Sequence, residues 1–516
     1  MSLKEISSLS DILFRGVEYY PEKVAIGDAS YELTYEELYV KTFLFAKELQ
    51  KSHGVLSNNS IGILLPNSVE FVIAYFATQF LGAIAVPLDP DIKINNLDYC
   101  LKQANAKAII IQKNTTDYKA NLSNINSRKG LKIINFDYIT ELLNRPLSFL
   151  EIKDSLLFKS KINVNEIASY MYTTGSTGYP KGVVICQKNV IRAISNTVEF
   201  VNYSDSDSEL ISLPLSHNFG LVNMFCNLAV GGTSYLVDGI SNFKLLFELL
   251  NKKQPSGFPG TPSGFKVLTK MFPNKIKECR SFLKFIIINS ERCPPSLVKT
   301  LTTLLPETKI FIYYGLTEAS RSTFIKFDVN TQDYYLNSVG KASQNVEISI
   351  ISEGLVEKYE GHQLGRVAIK GAHVSKGYLG KNNLFNIHND WFITDDIGYL
   401  DSDNYLFLTG RLSSFINKGG LKIDPKEIED VLSSIDSIKD YAVIGLNDEI
   451  SGQKICVCYV SDLSLDNAEK AIFKECSVRL ETLKIPDLYV NCDSIPRNKT
   501  GKLLRKELEK NLRYNL

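Results

Sequence analysis

The chain lacks a surplus of either charge: its 516 residues carry 58 Lys and Arg against 57 Asp and Glu. With no basic excess to neutralise phosphates, general nucleic-acid binding is not expected. It also lacks a ligand pattern in its cysteines. The nine are scattered and form no Cys-x-x-Cys pair, which argues against zinc ribbons and disulfide-stapled secreted scaffolds. A reduced, cytoplasmic setting is the expectation. Histidine is scarce. His53, His217, His362, His373 and His388 make up the whole set, and no two are spaced as a metal pair. The N-terminal MSLKEISSLSDILFRG has no continuous apolar core of the kind a secretory signal needs. One uncharged run, Phe71–Leu88, reaches 18 residues, near the length of a membrane span. It contains Thr78, Gln79, Gly82 and Pro87. It is therefore read as a buried helix ending at Gly82, followed by a strand over Ala83–Val86. No integral membrane span is expected.

What is present is ordinary globular material. Hydrophobic residues make up 44% and charged residues 22%, so the chain can bury a core and is not a disordered one. Its length suits roughly two to four domains. Short β-rich runs alternate with helical stretches. Strands are read at Ser60–Leu65, Ala108–Gln112 and Leu131–Phe136, with a helix from about Val69, and Phe285–Asn289 and Lys309–Tyr313 are short apolar runs ended by polar or Gly residues. Such alternation predicts α/β layers with parallel sheets. The polar stretch Asn114–Lys129 reads as a surface excursion. Near residue 400 the composition turns polar and lysine-rich, and new strand and helix patterns follow: Lys426–Ser434 as helix, Tyr441–Gly445 and Lys454–Val460 as strands. Alternation puts Cys456 and Cys458 on one face of a strand. The expected organisation is a large N-terminal domain over residues 1–410 and a small C-terminal α+β domain over 411–516.

The most informative segment is Tyr172–Gly182, YTTGSTGYPKG, with three glycines, four aliphatic hydroxyls and one lysine in eleven positions. Glycines let backbone amides approach an anion. Thr173, Thr174, Ser176 and Thr177 add hydroxyl donors, and Lys181 adds a point charge suited to phosphate. A phosphate-binding loop is the natural reading. It is not a Walker A loop, because Lys181 follows Pro180 and precedes Gly182.

This loop resembles the signature of the acyl-adenylate-forming superfamily, which includes acyl-CoA synthetases, peptide-synthetase adenylation domains and luciferase-like enzymes. Other segments resemble its remaining motifs in the same order: LTYEEL (33–38), LGAIAVP (81–87), PLSHNFG (214–220), YGLTE (314–318), WFITDDIGYLD (391–401), the hinge segment from Gly410, and PRNKTGKLLR (496–505). The single motifs are weak, but the ordered set is specific and spans nearly the whole chain. The resemblance implies a layered α/β N-terminal domain and a mobile C-terminal one. It implies ATP and Mg²⁺, with CoA as the co-substrate, and a reaction in which a carboxylate attacks the α-phosphate of ATP and pyrophosphate leaves.

By the same resemblance, the loop with Thr173, Thr174, Gly175, Ser176, Thr177, Gly178 and Lys181 holds the β- and γ-phosphates. Tyr314 stacks on adenine, with Gly315 beside it at the nucleotide. Thr317 reaches the α-phosphate and Glu318 helps hold Mg²⁺. Asp396 accepts hydrogen bonds from the ribose hydroxyls, with Arg411 close by. Lys502 binds the substrate carboxylate and the α-phosphate. His217 lies at the acyl pocket and thiol entry, Ser414 is the hinge, and Gly419 and Gly420 border the pantetheine path.

The sequence departs from the family in places. Ser414 replaces the usual hinge Asp or Lys, Asp395 replaces a Gly, and Arg366 replaces a Glu after Gly365. A Gly-Gly stretch common in the family corresponds here to Asn289-Ser290-Glu291-Arg292-Cys293; its charge pair either closes on itself at the surface or reads a polar substrate. His217-Asn218 stands where peptide synthetases carry Phe-Asp to pair an amino acid's ammonium. A buried ammonium without a carboxylate is costly, so a neutral acyl chain is expected. The implied function is an acyl-CoA synthetase. The alternatives are a stand-alone ligase loading a carboxylate or amino acid onto an acyl or peptidyl carrier protein, and a non-catalytic nucleotide- or acyl-binding homologue. Lys502→Ala is expected to lower adenylation by about 10²–10³-fold, the loss typical of one charge-stabilising donor. Undiminished pyrophosphate exchange by that variant would remove the assignment.

Overall fold

The computed structural model describes residues 6–112, 130–156, 158, 162–173, 180–352, 358–359, 362–380, 386–412, 415–418, 421–448, 451–497 and 503–513. The excursion expected at Asn114–Lys129 lies outside them. The chain divides into two compact units, residues 1–348 with 369–392, and residues 349–368 with 393–516.

The first unit contains two large sheets. One has seven strands in the order Gly377–Tyr378, Lys181–Cys186, Ile167–Thr173, Ile84–Pro87, Ser60–Leu64, Ala106–Ile111 and Lys132–Asn135. Its last five strands run parallel. The other has nine strands, with a parallel interior that includes Ser208–Ile211, Gly257–Gly260, Phe285–Ile288 and Lys309–Tyr314. The expected strands fall within a residue or two of these limits.

Two helices have no polar face. Val69–Phe80 and Asn218–Val230 are buried along almost every position, as a helix that is apolar all round must be. Their rings meet: Phe225 lies 5.4 Å from Tyr75 and 5.6 Å from Phe76, centroid to centroid. The 18-residue uncharged run is thus explained. Its helix stops at Phe80, Gly82 turns the chain at φ +63°, and Ile84–Pro87 enters the sheet. Among the described residues no helix is long and apolar enough to cross a membrane.

Two side chains with full charges when ionised, an arginine and a glutamate, lie in this apolar interior. Arg321 and Glu209 are both fully buried. The Arg321 guanidinium donates to Asn223 Oδ1 at 2.7 Å, to the Phe219 carbonyl at 3.2 Å and to Ser320 Oγ at 2.8 Å. It also lies 4.8 Å from the centre of the Tyr313 ring, within cation–π range. Glu209 accepts a 2.6 Å hydrogen bond from the Tyr203 hydroxyl.

The second unit carries a C-terminal sheet in which Ile438–Asp448 and Gly452–Ser461 form a long antiparallel pair. The helix Pro425–Leu432 is capped by Asp424, which accepts from the Lys426 amide. Cys456 and Cys458 share one buried face of Gly452–Ser461, in a single apolar cluster, as alternation requires.

Burial raises the Glu209 carboxyl from its usual 4.5 to about 8. The folded chain therefore holds a proton that the unfolded chain sheds. The stability from this group is complete below about pH 4.5 and is lost as pH rises through about 8. Glu209→Gln has no proton to lose. Between about pH 5 and 8 its thermal midpoint should fall less steeply than that of the native chain; parallel curves would contradict the burial argument.

Candidate active site

Ligands of open α/β sheets bind beyond the carboxyl ends of the parallel strands. Two motif segments sit at such ends. Thr173 closes the strand Ile167–Thr173 and pairs across an antiparallel turn with Lys181, the first residue of the next strand. Thr174, Gly175, Ser176, Thr177 and Gly178, between those ends, lie outside the described residues. Tyr314 closes the strand Lys309–Tyr314 and is buried; Gly315, Thr317 and Glu318 follow it, each half-buried.

The turn after Tyr314 is tight. The Leu316 and Ala319 amides each donate to the other's carbonyl, at 3.0 and 3.1 Å, and the Ser322 amide donates to the Tyr314 carbonyl at 2.9 Å. A Cβ on Gly315 would come within 2.4 Å of the Arg321 nitrogen, so this turn needs glycine there. A second segment backs it. Val374 bridges Ala319, the Ser375 amide donates to the Glu318 carbonyl at 2.7 Å, and His373 Nε2 lies 2.9 Å from Ser322 Oγ. Burial pushes the His373 imidazole down to about 4, so it stays neutral near pH 7.

The same segment continues into Gly377–Tyr378, which pairs with the phosphate-loop strand at Val184 and Val183. The Tyr378 hydroxyl donates to Glu318 Oε1 at 2.6 Å, and Lys181 Nζ lies 5.4 Å from the centre of the Tyr378 ring. One side chain thus joins Lys181 to the carboxylate of the YGLTE turn. No motif of the sequence marks Tyr378.

His217 is the N-cap of the buried helix Asn218–Val230 and is half-buried. Its loop is clamped by Asn67, which donates to the Leu213 and Val237 carbonyls and accepts from the Leu215 amide at 2.8 Å. Gly220 belongs to the motif for a steric reason: a Cβ there would meet the Leu213 and Pro214 carbonyl oxygens at 2.6 and 2.7 Å. Arg321 reaches the same helix through Phe219 and Asn223, so the histidine loop and the YGLTE turn share one anchor.

In the second unit, Asp396 and Arg411 stand opposite each other on paired strands and form an ion pair. Asp396 is buried, and its amide donates to Thr394 Oγ1 at 3.0 Å. Two departures from the family pattern prove to be partners: Arg366 contacts the Asp395 carboxylate at 3.3 Å and donates to the Thr394 carbonyl at 2.9 Å. The charge pair at 291–292 is explained differently. Glu291 accepts from the Ser263 amide at 3.0 Å, at the start of a helix, and Arg292 donates to Asn337 Oδ1 at 3.0 Å. Ser290 adopts φ +93°, a conformation that favours glycine, within the segment set against the family's Gly-Gly stretch. Lys502, Ser414, Gly419 and Gly420 lie outside the described residues. The flanks of Lys502 are paired with each other: Leu503 bridges Arg497, and the Leu504 amide donates to the Pro496 carbonyl at 2.9 Å.

A polar cleft of about 480 Å³, lined in part by Asn58, Asn105 and Lys107, lies at the opposite, amino ends of the parallel strands. It holds none of the motif residues, and the strand-end rule places the site elsewhere.

The family described as AMP-binding enzyme matches residues 13–379, and its C-terminal domain matches residues 427–502. The chain belongs to the AMP-binding enzyme family. Among relatives of this AMP-binding enzyme, 4-coumarate–CoA ligase 1 of Arabidopsis thaliana is 26% identical, over 99% of this chain and 93% of that one. The 2-succinylbenzoate–CoA ligase of Bacillus licheniformis is also 26% identical, over 95% of this chain and 97% of that one. Among solved structures, o-succinylbenzoate CoA synthetase from Bacillus subtilis, bound to its acyl-adenylate intermediate, superposes with a TM-score of 0.83 at 26% identity, covering 96% of this chain and 97% of that one. The same synthetase has been solved with ATP and a magnesium ion. ATP-bound MatB from Rhodopseudomonas palustris shares the fold, with a TM-score of 0.84 at 21% identity, covering 98% and 99%. The expected fold class, a large N-terminal α/β domain with a smaller C-terminal one, is the class found.

Proposed function

We propose that this enzyme activates a carboxylic acid with ATP and transfers the acyl group to the thiol of CoA. It is an AMP-forming acid–thiol ligase. One observation carries the reading: Lys181 and Glu318 are brought to a single side chain, Tyr378, beside the carboxyl ends of parallel strands in two mixed sheets. A polyphosphate bound there meets an ammonium from one sheet and a carboxylate from the other.

In the first step an oxygen of the acid attacks the α-phosphorus of ATP. The new bond joins that oxygen to phosphorus, the bond to the bridging oxygen breaks, and pyrophosphate leaves. The chain's task is to position the reactants and stabilise charge. Lys181, with the loop 174–178, holds the departing phosphates. Thr317 reaches the α-phosphate. Tyr314 and Gly315 border the adenine, and Asp396 and Arg411 take the ribose. Glu318 suits a hard cation: with Oε1 tied to Tyr378, Oε2 is the oxygen left to donate. When bound, Mg²⁺ supplies neutralisation of phosphate charge. Lys502 contacts the acid's carboxylate and the α-phosphate, on a mobile domain over residues 411–516 with Ser414 as its hinge. In the second step the thiol sulfur attacks the acyl carbon and AMP leaves. His217 stands by that path, as do Gly419 and Gly420.

The acid is read as one without an α-ammonium. The helix that His217 caps has no acidic residue in its first turn, and a helix N-terminus favours a carboxylate and disfavours a cation. CoA is the acceptor favoured by the likeness to CoA ligases along nearly the full chain.

ATP–pyrophosphate exchange against fatty, aromatic, hydroxy and amino acids, followed by product analysis with CoA, tests this reading. Exchange with an acid lacking an α-amino group, and a thioester formed with CoA, is the expected result. Exchange without CoA-thioester would move the acceptor to a carrier protein. ATP binding with no exchange would favour a non-catalytic nucleotide binder.

A further inference from the structure

Tyr378 belongs to neither the phosphate loop nor the YGLTE turn, yet it touches both. Its strand, Gly377–Tyr378, is the edge of the seven-stranded sheet and is tied to the phosphate-loop strand by backbone pairing at Val183 and Val184. The Leu379 amide adds a bond to the Gly182 carbonyl at 2.8 Å. On the other side, Val374 and Ser375 of the same segment are tied to Ala319 and Glu318. The backbone therefore fixes Tyr378 against two loops that belong to different sheets.

The chemistry of the contacts is unequal. The phenol donates to Glu318 Oε1 at 2.6 Å, a bond to an ionised acceptor of the stronger kind. It fixes the carboxylate's rotation. The ring face holds Lys181 Nζ at 5.4 Å by a cation–π contact, which is weak where water has access. That contact keeps the ammonium near the carboxylate without the close ion pair that would neutralise both groups. The lysine stays available to phosphate oxygens, and the carboxylate to a cation.

We infer that Tyr378 is a positioning residue that orients Glu318 for the nucleotide-bound divalent cation and holds Lys181 apart from it, and so sets how strongly Mg²⁺ tightens ATP binding. The inference rests on the nucleotide-site reading above. Its effect falls on the cation-dependent part of ATP affinity, not on the acid.

The test is calorimetric titration of the full chain with ATP, without Mg²⁺ and at saturating Mg²⁺, for the native protein, Tyr378→Phe, Tyr378→Leu, Glu318→Gln and the Tyr378→Phe/Glu318→Gln pair. Thermal midpoints check that each variant is folded. A charge-assisted hydrogen bond is worth enough to change an affinity by roughly tenfold or more. Tyr378→Phe, which keeps the ring, should lose about tenfold of the Mg²⁺-dependent gain and bind ATP alone as the native chain does. Tyr378→Leu should weaken ATP binding without Mg²⁺ as well. The double variant should be no worse than Glu318→Gln alone, because both act on one interaction. A folded Tyr378→Phe with the full Mg²⁺ gain, or additive losses in the double variant, would overturn the inference. Failure of the native chain to bind ATP at all would overturn the nucleotide-site reading instead.

Discussion

The buried guanidinium of Arg321 is the constraint on which the geometry of the first unit depends. Taking one such charge out of water costs several kcal/mol unless every donor is met. Here the partners are dipoles, Asn223, the Phe219 carbonyl, Ser320 and the Tyr313 ring, and Nε has no hydrogen-bond partner, so part of that cost remains. Glu209, held largely protonated by burial, is not a full counter-charge. The backbone at Arg321 adds a cost of its own, with φ at +63° in a residue that is not glycine. A side chain held at that cost fixes the elements it touches. One is the turn that presents Thr317 and Glu318; the other is the first turn of the helix that His217 caps. The Arg321 carbonyl is itself bound by Asn196 and Ser343, so its backbone is as fixed as its guanidinium.

Function follows from where the sheets end. In the first unit, Thr173 and the YGLTE turn both lie at the carboxyl ends of parallel strands, the binding edge of such layers. The segment from Gly371 to Leu379 buttresses one and then pairs with the other, which joins the two loop ends. In the second unit, Asp396 and Arg411 are set opposite each other by strand register. The pairing of Arg366 with Asp395 on the neighbouring position explains how two departures from the family pattern can coexist: each supplies the other's partner.

Much of this was legible in the residues alone. The layered α/β class, the strand positions and the buried reading of Phe71–Leu88 followed from periodicity and from where Gly and Pro fall. The motif segments followed from their order along the chain. The anchors were not legible, for a physical reason. Arg321, Asn67 and Tyr378 act on partners distant in sequence: Arg321 contacts Asn223 and Tyr378 contacts Glu318, at separations of 98 and 60 residues. No local pattern encodes such contacts. Neither Glu209, after Ser206-Asp207-Ser208, nor Arg321, between Ser320 and Ser322, stands in an apolar run, so no local pattern marks the buried polar network. Glu291 and Arg292 show the converse, since adjacency suggested that they pair with each other and the structure gives each a distant partner.

The central claim is that Arg321 holds the YGLTE turn and the His217-capped helix in place. Hydrogen exchange in the full-length Arg321→Met variant, which keeps the volume and removes the charge, tests it most directly. The Ala319 and Ser322 amides close the turn, and the Leu221 amide closes the first helical turn onto the His217 carbonyl. The account predicts faster exchange at all three, with protection kept in the strand Lys181–Cys186. Native protection at those amides in a folded variant would contradict it.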